Sequence, residues 1–397
     1  MKILKNKELL KNVGINIFSV GLYNAVIQLL VFPFLSKEIG AINFGITVSL
    51  YGFNQLIYTF LGNTINNIRL IYDDEVKNKG NFTILILIGI VLTGIASTLL
   101  YSIYGQSLRW VSILVLVLWT MMSSLRAYLL VYFRLEINYL RIFLNNIFLL
   151  IGYLVGVFFF NFISFWGIIF ITGEIFALIY LFKTTPFLSE KPEKTDEIRP
   201  LVKETSNLTL SNFVSNSMTY LDRFLITPML GATSMSLYYS VSVFTKFINM
   251  AVTPFNNVML SYMNNLKKEN ARKYFIAYNG VMALLLVPIY FLMILITPYL
   301  LDIFYPEYAE AATNLIPFVS LANVFKLLTG MINPFILKFK PMKYQSIIQF
   351  TFGIVYLVLA VSFVALNGLS GFAIATALAY IFKWVLMFFL GIKEPQK

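Results

Sequence analysis

Met-Thr-Tyr-Leu-Asp-Arg-Phe-Leu-Ile-Thr-Pro-Met-Leu-Gly, residues 218–231, sets an Asp222-Arg223 pair inside an otherwise apolar run. If that run crosses a bilayer, each charge costs roughly 3 kcal/mol at mid-membrane on insertion scales. The pair must then face something other than lipid. The reading of the whole chain turns on whether 218–231 belongs to a membrane span.

Composition says that it does. Of 397 residues, 59% are hydrophobic and only 12% are charged, against about 25% charged in soluble domains. Apolar runs of about 20 residues, the length that crosses a hydrocarbon core, recur from one end to the other. Twelve spans are expected, at 12–35, 42–66, 82–104, 109–131, 139–161, 163–183, 205–230, 235–262, 274–300, 311–337, 343–365 and 370–392. The first is too long for a signal peptide, and no small-residue cleavage site follows it. The expected class is an all-α polytopic membrane protein.

Cysteine and histidine are both absent. That removes disulfides, zinc sites of the usual ligand sets, thiol nucleophiles and histidine proton relays. No Gly-rich phosphate loop precedes a Lys-Ser/Thr, so nucleotide hydrolysis has no support. No catalytic residue, cofactor or metal site is expected. The net charge of +12 reads as topology and not as nucleic-acid binding, because of where the charges lie.

Lys2, Lys5, Lys7 and Lys11 precede span 1, and Arg69, Lys77 and Lys79 follow span 2. Arg134 and Arg141, then Lys183, Lys191, Lys194, Arg199 and Lys203, then Lys267, Lys268, Arg272 and Lys273, then Lys338, Lys340 and Lys343, mark every second loop. The alternate loops hold only Lys37 and Arg109, and 301–310 is acidic. The positive-inside rule therefore places both termini in the cytoplasm. The long polar linker at about 183–203 divides the chain into an N-terminal six-helix lobe, 1–200, and a C-terminal six-helix lobe, 201–397. Ile39-Gly40-Ala41 and Leu230-Gly231-Ala232 occupy corresponding turns, and at that offset Asn16 falls on Asn207 and Phe53 on Phe244. Six spans per half make the repeats parallel, as in alternating-access transporters.

The polar residues inside the spans point to the site. Thr205, Thr209, Asn212, Asn216, Thr219 and Arg223 recur every three or four residues and are expected to share one helix face. Lys246, Asn249, Thr253 and Asn257 align similarly on span 8. Span 10 adds Asn323 and Lys326, span 12 adds Lys383, and the first half adds Arg126 and Glu174. Serine, threonine and asparagine in membrane helices commonly only bond neighbouring helices, and Arg126 and Lys383 lie where their heads can snorkel to the interface. Seven ionisable groups at roughly 3 kcal/mol each would still cost on the order of 20 kcal/mol in lipid, more than a typical folded domain's 5–15 kcal/mol. Most must line water or pair. Arg126, Arg223, Lys246, Lys326 and Lys383 oppose only Asp222 and Glu174, so the cavity attracts an anion, and Arg can grip phosphate with two parallel hydrogen bonds.

Tyr220-Leu221-Asp222-Arg223-Phe224-Leu225-Ile226 leading to Leu230-Gly231, the outer loop Ile303-Phe304-Tyr305-Pro306-Glu307-Tyr308-Ala309, and the 6+6 layout together resemble the polysaccharide flippases of the multidrug/oligosaccharidyl-lipid/polysaccharide exporter superfamily, the Wzx-type O-antigen and capsule translocases. Tyr305 stands where the family's loop usually has Gly. The resemblance implies a MATE-like fold in a bacterial inner membrane. It also implies a substrate of undecaprenyl-pyrophosphate-linked oligosaccharide, and a polysaccharide polymerase and chain-length regulator as protein partners; no nucleic acid is implied. The expected substrate-binding residues are Arg223, Lys246, Lys326, Arg126, Lys383, Asn212, Asn216 and Asn249. Asp222 and Glu174 are the candidates for charge balance, or for H+ or Na+ coupling. A multidrug exporter of the same superfamily would want acidic residues in the cavity, and a lipid II flippase is usually longer by two helices. A major-facilitator carrier would show a Gly-Asp-Arg-Gly-Arg type loop after span 2, where this chain has Asn66-Asn67-Ile68-Arg69-Leu70. A membrane polymerase would need a large outer loop.

Overall fold

The computed structural model describes residues 2–73, 76–105, 108–249 and 271–392. The described parts of the expected spans are almost entirely helical. The first crossing runs through α1 (Lys2–Val26), a π-helical turn (Ile27–Val31) and the start of α2 (Phe32–Phe60). Pro33, near the start of α2, cannot donate to an α-helical ladder, and the wider turn before it absorbs that loss. The chain reverses inside α2 at Gly40, whose φ of 71° is open to glycine at little cost.

Beyond that reversal the order is α3 (Gly62–Tyr72), α4 (Gly80–Tyr104), α5 (Trp110–Leu129), α6 (Val131–Leu135), α7 (Tyr139–Ile163) and α8 (Gly167–Thr184). After the linker come α9 (Ile198–Ser217), α10 (Leu221–Leu230), α11 (Ala232–Asn249), α12 (Ala271–Phe304), α13 (Ile316–Phe339) and α14 (Met342–Ile392). A straight helix of α14's 51 residues would measure about 76 Å, over twice the ~30 Å core. It breaks at Asn367 and Gly368 (φ 56°), so it supplies two crossings. Lys11–Tyr72 likewise holds two. Eight stretches among the described residues are long and apolar enough to cross a membrane, and these two doubled ones bring the crossings they hold to ten. The remaining two expected spans are 205–230, too polar to qualify by composition, and 235–262, whose residues from 250 on lie outside the described part.

The outer surface fits lipid. Leu87, Val91, Ile95 and Leu99 of α4 are four residues apart and all exposed, an aliphatic stripe with no polar interruption. The expected internal correspondence has a backbone counterpart: Gly231, between α10 and α11, has φ 86°, as Gly40 has 71°. A second pair follows the same logic. Ser164 between α7 and α8 (φ 52°) and Gly368 are both left-handed, and each is followed three residues on by a glycine, Gly167 and Gly371.

The chain forms two compact units. The first comprises residues up to Leu35 with Ile46–Arg223; the second comprises Ser36–Gly45 with Phe224 onward. In the first, α7 and α8 pack backbone to backbone: a Cβ on Gly152 would meet the Cα of Gly173, and one on Gly156 would meet Ile169 and Thr172. Such close approach is what small residues provide in membranes, where lipid contributes no hydrophobic drive.

The linker is pinned to this unit. Arg69, buried on α3, donates from Nη1 and Nη2 to the two carboxylate oxygens of Glu190 at 2.8 and 2.7 Å. Its Nη1 also donates to the hydroxyls of Tyr128 and Tyr132 at 2.7 and 3.0 Å. Asn81 and Thr195 exchange two further bonds, 2.6 and 3.1 Å. In the sequence Arg69 counted only as a topology signal; its carboxylate partner lies 121 residues away. In the second unit the turn 36–45 packs on α11, where Ser236 donates to the carbonyl of Ala41 at 2.6 Å. Phe44 lies between Tyr239, Tyr305 and Tyr308 at 5.9–6.1 Å. Tyr305 is thus part of a buried aromatic stack, which explains the tyrosine in a loop where glycine was expected.

Candidate functional site

Two buried charge pairs of the first unit involve expected site residues. Arg126 near the end of α5 donates from Nε to Oε2 of Glu174 on α8 at 2.7 Å and from Nη2 to Oε1 at 3.1 Å. Ser123, one turn earlier on α5, donates to the same Oε1 at 2.9 Å. Arg126 is 7% exposed and Glu174 2%, so neither head reaches the interface by snorkelling. The two residues that the sequence assigned to different roles are each other's partners. A two-pronged pair of this kind leaves little net charge for a substrate to read.

Asp222 and Arg223 open α10, just after a 3-10 turn at Met218–Tyr220. That turn interrupts the helix between Ser217 and Leu221, so the single continuous polar face expected from Thr205 to Arg223 is broken there. Nη1 of Arg223 donates to both carboxylate oxygens of Asp222. Its backbone N–H donates to Oδ1 at 3.0 Å, and the guanidinium sits 5.4 Å from the centre of the Tyr220 ring. Both residues are buried. Gly52 of α2 makes room for them: a Cβ there would run into Nε and Cδ of Arg223. The sequence reading missed Gly52, because nothing in Tyr51-Gly52-Phe53 signals a contact 171 positions away. Asn212 donates to the Thr64 hydroxyl on α3 at 2.8 Å, and Asn216 donates back to the carbonyl of Asn212 at 2.8 Å. Both amides are occupied with the protein.

The second unit differs in sign. Lys326 on α13 and Lys383 on the last arm of α14 lie close enough to repel one another. Nζ of Lys383 donates to Oε1 of Gln349 at 3.4 Å and lies 4.6 Å from the centre of the Phe352 ring. No carboxylate pairs with either lysine among the described residues. An ammonium over an aromatic face gains perhaps 0.5–2 kcal/mol, too little to replace a counter-ion. Two cations held together without an anion are what an anionic ligand would neutralise. The side chains of Lys246 and Asn249, the other expected site residues of this half, lie outside the described residues.

The fold defines a class, a multi-pass helical membrane protein. Solved structures with the same fold carry little sequence in common with it. An inward-closed lipid II flippase MurJ superposes with a TM-score of 0.72 at 14% identity, over 98% of this chain and 87% of that one. An inward-facing multidrug-resistance MATE family transporter of the MOP superfamily gives 0.66 at 13%, over 93% of each chain. The bent form of the Vibrio cholerae MATE transporter VcmN gives 0.57 at 12%, over 98% and 97%. No curated protein matches the sequence. The model of the polysaccharide biosynthesis protein family matches residues 34–313, and the chain belongs to that family. The resemblance to the polysaccharide flippases of the MOP superfamily stands on both findings.

Proposed function

We propose that the protein is a flippase that moves undecaprenyl-pyrophosphate-linked oligosaccharide repeat units from the cytoplasmic to the outer leaflet of a bacterial inner membrane. It does so by alternating access of the 1–200 and 201–397 lobes, in the service of O-antigen, capsule or exopolysaccharide synthesis. The observation that carries this reading is the Lys326–Lys383 pair, like charges inside the spans with no carboxylate partner among the described residues. A pyrophosphate supplies the missing negative charge. A cationic drug would be repelled, which disfavours a multidrug exporter. Membership of the polysaccharide biosynthesis family favours a glycan-bearing lipid. Lipid II is the nearest competing cargo, and it carries the same pyrophosphate. Arg223 is the second contact, available once Asp222 releases it. Asp222 and Glu174 remain the groups through which H+ or Na+ would couple, and a polymerase and chain-length regulator would act on the delivered product.

The test is binding of sugar-free undecaprenyl pyrophosphate to the purified protein in nanodiscs. Replacing one member of a charged hydrogen-bonded contact costs roughly 1.5–3 kcal/mol, about 10- to 100-fold in affinity. Lys326→Ala and Lys383→Ala should each lose that much, while the empty protein becomes no less heat-stable, because a repulsion has been relieved. Unchanged affinity in the Lys326→Ala/Lys383→Ala double variant would refute the assignment.

A further inference from the structure

Between Ile46 and Phe60, α2 is buried but for its last two residues, Thr59 and Phe60, and for Tyr51, Gln55 and Tyr58, which are half-open. Their spacing of four and three residues makes them one stripe on the helix. The lipid-facing stripe of α4 in the same unit is aliphatic at every position. A row of hydroxyl and amide groups has no such place, because hydrocarbon offers them no hydrogen bonds. The stripe therefore borders water inside the protein.

The chemistry around it is specific. Tyr58 donates to Oε1 of Gln55 at 2.6 Å, and the hydroxyl of Tyr51 meets that of Tyr23 from α1 at 3.3 Å. The Tyr51 ring lies 6.1 Å from that of Trp119, tilted by only 28°, and Trp119 continues onto Phe170 at 5.0 Å and 25°. Tyr58 is within electrostatic reach of Arg126 and Glu174. Arg223 lies over Gly52, between Tyr51 and Gln55 on the same helix. Among the described residues, the buried charges of this neighbourhood are held in the Arg126–Glu174 and Arg223–Asp222 pairs. The patch thus offers many donors and acceptors, an aromatic wall and no surplus charge. A phosphate needs surplus positive charge, a cationic drug needs surplus negative charge, and a purely apolar ligand would strand the hydroxyls. A sugar ring, with hydroxyls on its rim and C–H groups on its faces, matches all three features.

We infer that Tyr51, Gln55 and Tyr58 of α2, with Tyr23, form a saccharide subsite that receives a sugar of the lipid-linked cargo. This rests on the flippase reading above. It divides the labour chemically: the neutral stripe reads hydroxyls and leaves the phosphate to charged residues. Gly52 directly follows Tyr51 and precedes Gln55 by three residues, so Arg223 is placed beside the stripe, where it can meet the phosphate end of a sugar bound there.

The experiment compares two probes on the full-length protein in nanodiscs, sugar-free undecaprenyl pyrophosphate and the lipid-linked repeat unit extracted from the producing strain. The wild type should bind the glycosylated lipid at least about fivefold more tightly, the worth of one or two uncharged hydrogen bonds. Gln55→Ala and Tyr58→Phe should each remove most of that advantage and leave the sugar-free affinity within about twofold. Tyr58→Phe keeps the ring and the packing, so a folding defect cannot mimic the result. Equal binding of the two lipids by the wild type, or parallel loss of both in Tyr58→Phe, overturns the subsite. Failure of the sugar-free lipid to respond to the lysine substitutions strikes the pyrophosphate assignment instead, and the two failures are separable because each is read on a different probe.

Discussion

Three buried arginines of the first unit, Arg69, Arg126 and Arg223, each hold a carboxylate, and Lys326 and Lys383 of the second hold none among the described residues. That difference, more than the count of charges, separates structure from recognition. The sequence marked most of these residues correctly as out of place in lipid, because a charge in an apolar run is visible letter by letter. It did not reveal the pairings, since Arg126 and Glu174 lie 48 positions apart and meet only when α5 packs on α8. A buried pair predicts an asymmetric response: removing one partner strands the other at a cost of about 3–5 kcal/mol, whereas replacing both is tolerated far better. Arg126→Gln and Glu174→Gln should each lower thermal stability strongly in detergent, and the double variant should recover most of it. Were Arg126 a phosphate ligand, the double variant would fold but lose its affinity for undecaprenyl pyrophosphate.

At the scale of elements, ten of the twelve expected crossings were legible, because a membrane span must satisfy its whole backbone internally, and only a helix of about 20 residues does so. The turns were legible where glycine is obligatory. The correspondence of Gly40 with Gly231, a sequence offset alone, reappears as two left-handed residues of similar φ. The break between α9 and α10 was not legible: Ser-Met-Thr-Tyr-Leu carries no proline or glycine, and the 3-10 turn at Met218–Tyr220 has no signal in the residue types themselves. Nothing lies within 4 Å of where a Cβ on Gly231 would stand. Its replacement is therefore opposed by backbone conformation alone. Gly231→Ala should cost about 1–2 kcal/mol, and Gly231→Asn less, since asparagine tolerates the left-handed region. Melting of the two variants side by side checks the order, and an equal loss in both would mean that the turn is strained by contacts instead.

At the scale of the whole molecule, the proposed anionic cargo would cross a charged membrane. Moving one elementary charge through 100 mV is worth about 2.3 kcal/mol. Two net negative charges carried outward, in the direction an inside-negative potential drives them, therefore gain roughly 4–5 kcal/mol if the protein moves no compensating charge. The closed state of Arg126–Glu174 and Arg223–Asp222 fits that condition, since a neutral pair carries no charge of its own. The most direct measurement of this account is transfer of the lipid-linked repeat unit between leaflets of proteoliposomes, read by its accessibility to an impermeant sugar-oxidising reagent. The wild type should translocate it faster than protein-free vesicles, and faster again under a potential that drives anions in that direction. The Lys326→Ala/Lys383→Ala variant should fall to the protein-free rate. Translocation by that variant at the wild-type rate, or none by the wild type above protein-free vesicles, would contradict the account.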